Sequence, residues 1–133
     1  CPDRMTINTE DSILFTAVIS AAQGWTAYFG CERFEIILED HCSIPIFNGK
    51  NCVDWGDPTL DYAIAETWYW RDVGEADIIV DPIMLNGYNL SSVMMHELGH
   101  AIGYTHDFGP KIMILSNWCG PKTVFYTPDN SNC

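Results

Sequence analysis

The chain has 133 residues, 47% of them hydrophobic and 13% aromatic, which supplies one packed domain over residues 1–133 and excludes a disordered segment. Eighteen acidic residues against six basic ones give a formal charge of -12, so long-range repulsion excludes nucleic acid and anionic membrane surfaces as partners. No apolar run reaches the roughly 18 residues of a membrane span, and the N-terminus lacks a basic-then-apolar leader pattern, so a mature, soluble protein is expected.

In chain order, Arg4 to Asn8 reads as a short strand, and the run from Thr9 to about Tyr28 changes to helical spacing. Ile13, Leu14, Ala17, Val18, Ala21 and Trp25 recur at three- and four-residue steps, Glu10 and Asp11 fall in the first turn, and Gly30 ends the helix. Phe34 to Glu39 and Asn51 to Trp55 are predicted strands. Tyr62 to Trp70 and Ala76 to Val80 form a hairpin about the break at Arg71 to Gly74; a helix over Leu60 to Trp70 is the competing reading, and Thr67-Trp68-Tyr69-Trp70 favours the strand. Alternation sends Trp68 and Trp70 to one face and Tyr69 to the other. After a polar turn at Leu85 to Leu90, Ser91 or Ser92 caps a second helix that Gly103 terminates.

Six cysteines, at positions 1, 31, 42, 52, 119 and 133, include no Cys-x-x-Cys pair and are read as disulfides of a secreted, extracellular protein. The sequence does not choose their connectivity.

The chemistry concentrates in the second helix. His96-Glu97-Leu98-Gly99-His100 is a His-Glu-x-x-His pattern, and four residues along a helix return to the same face, so two imidazoles converge on one ion with Glu97 beside them. A catalytic zinc takes three protein ligands and leaves a position for water. His106 supplies the third ligand if the chain leaves the helix sharply, and Gly103 stands where that turn needs a residue tolerant of positive φ.

The whole pattern, His96-Glu97-x-x-His100-x-x-Gly103-x-x-His106 followed by Met113, resembles the metzincin zinc metalloproteases, and is nearest to matrixin-like or compact bacterial, snapalysin-like members. Ala65-Glu66-Thr67-Trp68-Tyr69-Trp70 and Gly74-Glu75-Ala76-Asp77-Ile78-Ile79-Val80 look like the edge strand and the next strand that precede the active-site helix in that family. The resemblance implies an α/β (α+β) zincin fold: a twisted mixed β-sheet, a long backing helix and an active-site helix, here stapled by disulfides. It implies a monomeric zinc endopeptidase acting on polypeptide, with one catalytic Zn2+ on His96, His100 and His106, Glu97 as general base, and Met113 as the methionine of the supporting turn. Ile114 and Leu115 depart from the tyrosine or proline that follows the methionine in many matrixins. The twenty residues after Met113 lack the periodicity of a C-terminal helix, for which a Cys119–Cys133 clamp would substitute.

Several features have plainer readings. His41 is read as an exposed or structural residue of a Cys-containing loop. Cys1-Pro2-Asp3 resembles the cysteine segment with which matrixin propeptides block their zinc, but an even cysteine count places Cys1 in a disulfide. Asn89-Leu90-Ser91 is a glycosylation triplet of a very common kind. Two other functional classes stay open at this point: a catalytically silent, toxin-like or adhesion module that keeps zinc for structure, and a metal-dependent amidase with a non-protein substrate.

Overall fold

The computed structural model describes residues 1–40, 42, 48–59, 63–70, 72–107 and 109–113. Its elements are β1 (Met5–Thr9), α1 (Ser12–Phe29), β2 (Phe34–Leu38), β3 (Val53–Trp55), β4 (Ala65–Trp70), β5 (Glu75–Val80), α2 (Leu90–Ala101) and a 3-10 turn at Lys111–Met113. The chain is therefore a mixed α/β protein. His41, Cys119, Cys133, Ile114 and Leu115 lie outside the described residues.

β1 and β2 pair in parallel, β3 and β5 pair in parallel, and β4 runs antiparallel to β5 as the expected hairpin, with the helix reading of this segment excluded. The hydrogen bonding divides the anticipated single sheet into a two-stranded and a three-stranded part, joined by a parallel bridge between Asn8 and Cys52. Read across that bridge, the order is β2-β1-β3-β5-β4, with β4 at one end.

β3 has only three residues because side chains take over the pairing on its N-terminal side. Asn51 Nδ2 donates to Thr6 O at 2.9 Å, while its Oδ1 accepts from Ala76 N at 2.7 Å, so one carboxamide ties β1 to β5. Asp77 Oδ1 accepts from Cys52 N at 3.0 Å, and Glu75 Oε1 accepts from Asn48 N and Lys50 N, both at 3.0 Å. The Cys42–Cys52 disulfide closes the same region, and Cys1–Cys31 ties the N-terminus to the end of α1. Cys1 is thus a disulfide partner. The two bridges fit an oxidising compartment, and no helix among the described residues is long and apolar enough to cross a membrane.

α1 begins later than the sequence pattern suggests. Thr9 remains in β1, and Asp11 is the cap itself rather than a first-turn residue: its Oδ1 accepts from Ile13 N and Leu14 N, both at 2.9 Å. Glu10 turns away and accepts from the Cys42 amide. Gly30 closes the helix at φ 75. Leu14, Ala17, Val18, Ala21 and Trp25 are buried as expected, but Ile13 is 63% exposed. One residue is a rotation of about 100° on a helix, which carries Ile13 off the buried stripe. On β4, Trp68 and Trp70 do share a face, their rings 6.4 Å apart, while Tyr69 is exposed. The core joins α1, the sheet and α2 through Ile7, Val18, Trp25, Ile78, Val80, Met94, Met95 and Leu98.

Replacing Asn51 with alanine leaves the Thr6 carbonyl and the Ala76 amide without these partners, an expected loss of about 2–4 kcal/mol. Urea unfolding of Asn51→Ala checks this, with Asp11→Ala, expected to cost about 1 kcal/mol, as the comparison for a single lost cap.

Candidate metal centre

α2 is capped by Asn89, not by either following serine. Asn89 sits in extended backbone and its Oδ1 accepts from Ser92 N at 2.9 Å, which places Ser92 inside the first turn, fully buried. The same bond engages the carboxamide of the Asn89-Leu90-Ser91 triplet. From this start, His96 and His100 fall one turn apart on one face. Gly103, at φ 103, then breaks the helix as expected: Gly103 N donates to His100 O and Tyr104 N to Gly99 O, both at 3.0 Å. The chain reverses, and His106 returns to face the helix.

The three imidazoles meet through their Nε2 atoms. His96 and His100 are 3.0 Å apart, His100 and His106 are 3.0 Å apart, and His96 and His106 are 3.1 Å apart. His96 is 8% exposed, His100 half-buried and His106 exposed, so the group opens to solvent on one side. On their far sides, His96 Nδ1 bonds Ile112 O at 2.7 Å and His100 Nδ1 bonds Tyr104 O at 2.8 Å. A carbonyl oxygen only accepts, so both Nδ1 atoms carry the proton, and in the neutral rings both Nε2 atoms present lone pairs. Burial, with His100 nearby, holds His96 down to about 3, and burial lowers His100 as well. Neither ring supplies a second proton near neutral pH. Two lone pairs facing each other at 3.0 Å repel unless a cation lies between them, and the three nitrogens together form a group that can hold a metal ion.

Glu97 lies beside this group, 5% exposed. Its Oε2 is 4.0 Å from His96 Nε2, a contact that is no ion pair while His96 is neutral. Its Oε1 accepts from the Thr67 hydroxyl of β4 at 2.9 Å. Burial raises the Glu97 carboxyl up to about 7; the Thr67 bond opposes that rise, and the charge of Glu66 adds to it.

The last turn holds the histidines from below. Met113 N donates to Pro110 O at 2.9 Å, closing the turn whose Ile112 carbonyl orients His96. Met113 is fully buried and packs against Gly99: a Cβ at position 99 would stand 2.2 Å from Met113 Sδ and 3.0 Å from the Trp25 ring. Gly99 is therefore a close-approach glycine. Trp25 Nε1 donates to Met95 O at 2.9 Å, and its ring stacks on Tyr104 at 5.8 Å, behind the carbonyl that orients His100. All five residues singled out from the sequence, His96, Glu97, His100, His106 and Met113, thus come together. Thr67 and the supporting role of Trp25 had no signal there: one reads as a strand residue and the other as core. Neither a scan of protein-family models nor a search of curated proteins finds a match to the chain.

Gly99→Ala is expected to push Met113 and the Ile112 carbonyl off His96, lowering stability by about 1–3 kcal/mol and metal affinity by roughly 10-fold. Thermal unfolding and chelator competition measure the two effects. A pH experiment on chelated protein reads Glu97. Its folded value of about 7, against an ordinary 4.5, means that protonation stabilises the fold fully below 4.5 and that this stability is lost as pH rises through 7. The melting temperature of Glu97→Gln relative to the parent should climb between about pH 5 and pH 8; a constant difference would show that Glu97 is not buried as described.

Proposed function

We propose that the chain is a zinc-dependent endopeptidase of the metzincin kind, acting as a monomer on polypeptide. The observation that carries this reading is the placement of one oxygen of a buried carboxylate 4.0 Å from His96 Nε2, one of three imidazole nitrogens that face one another. A site built only for structure gains nothing from a carboxylate beside a three-ligand metal position.

The residues fit zinc. Tetrahedral coordination with Zn–N bonds of roughly 2.0–2.1 Å puts ligand nitrogens about 3.3 Å apart, close to the separations of 3.0 and 3.1 Å found here. His96, His100 and His106 would hold the ion, and the two Nδ1–H bonds to carbonyls fix the ligand tautomers. Zinc bound there supplies Lewis acidity, polarising the scissile carbonyl and acidifying the attacking water. Glu97 Oε2 faces that position to take the proton and pass it to the leaving amine. The edge strand β4 with its neighbour β5 ahead of α2, the glycine exit at Gly103 and the buried Met113 in a turn beside the histidines support the metzincin assignment. β4, at the end of the strand order and beside Glu97, offers an edge with which an extended peptide can pair.

The test is zinc stoichiometry together with cleavage of casein, comparing the parent with Glu97→Gln. One zinc in each, with the variant's rate lower by at least about 100-fold, is the expected result. Zinc in both without cleavage by the parent would replace this reading with the silent binding module, and no bound zinc would remove the site.

A further inference from the structure

Glu97 has more than one way to sit beside a metal. A buried carboxylate next to an ion with an open coordination position is itself a competent ligand, and closing that position would end its use as a base. Something must hold it off. Among the described residues, the Thr67 hydroxyl is the one side-chain donor to this carboxylate, at 2.9 Å from Oε1. A second contact from the same hydroxyl, to the Glu97 backbone oxygen, is longer at 3.3 Å, so its single proton goes to the nearer acceptor, the side-chain Oε1. With Oε1 tied to β4, Oε2 is the oxygen left facing His96 Nε2.

We propose that Thr67 is a positioning residue: its hydroxyl clamps Oε1 of Glu97 so that the carboxylate stays a base and does not become a fourth metal ligand. The inference rests on the peptidase reading for its catalytic meaning but not for its geometry. Thr67 sits mid-strand on β4, opposite Ile78 of β5, so the clamp is anchored in a ladder and not in a loop. The same strand is the one that would pair with substrate. A purely structural role would need only the branched shape, which valine reproduces; the clamp needs the hydroxyl, which serine keeps.

The full chain is loaded with Co2+ in place of zinc, and visible absorption is recorded for the parent, Thr67→Val, Thr67→Ser and Thr67→Ala. Casein cleavage is measured on the zinc forms. In Thr67→Val the freed carboxylate is expected to enter the coordination sphere, moving or weakening the cobalt bands, while kcat falls by roughly 10-fold or more at unchanged KM. Thr67→Ala should show the same spectral change, which separates the lost hydroxyl from any misfit of valine, and Thr67→Ser should return both readings toward the parent. Parent-like cobalt spectra in both Thr67→Val and Thr67→Ala would overturn the proposal. A parent that binds cobalt but cleaves nothing would overturn the peptidase reading alone, since the spectra would still decide whether Thr67 holds the carboxylate off the metal.

Discussion

The site depends on two hydrogen bonds that face away from it. Ile112 O and Tyr104 O accept from the Nδ1 atoms of His96 and His100, and this fixes both rings with their lone pairs inward. Without these carbonyls each imidazole could turn or change tautomer, and three histidines at the right spacing would be only three histidines. The carbonyls belong to segments after α2, one at the glycine exit and one in the 3-10 turn. The helix therefore supplies the ligands while the chain beyond it supplies their orientation.

Those segments are held in turn by α1. Trp25 stacks on Tyr104, bonds to the backbone of α2 at Met95, and approaches Gly99 alongside Met113. The sheet reaches the site from another direction, through Thr67 of β4. Its end strand is aligned by the hairpin with β5, and β5 is tied to β1 by the carboxamide of Asn51. A short β3 is enough because Asn51, Glu75 and Asp77 make polar links that extra strand residues would otherwise make.

Much of this was legible because it is local. The four-residue step between His96 and His100, the positive-φ demand at Gly103, the apolar spacing of α1 and the β-branched and aromatic run of β4 are each written within a dozen residues. The misreadings were local ties. Asn89, Ser91 and Ser92 are all good caps within four residues, and only the folded backbone selects Asn89. Asp11 and Glu10 both suit a helix start, and the difference is that Glu10 finds the Cys42 amide. What could not be read at all is long-range: Thr67 lies 30 residues from Glu97, and Trp25 lies 70 from Met95. A threonine in a strand and a tryptophan on an apolar stripe satisfy ordinary folding rules, so nothing in their own neighbourhood marks them.

The close approach at Gly99 joins the apolar interior to the metal-binding histidines. Trp25, Gly99 and Met113 share one small volume, and that volume touches both segments whose carbonyls aim the ligands. The packing of these three side chains and the aim of the ligands are therefore not separable properties here. Trp25, which carries no charge and makes no bond to a histidine, stands one residue removed from His100, because it stacks on the Tyr104 whose carbonyl aims that ring.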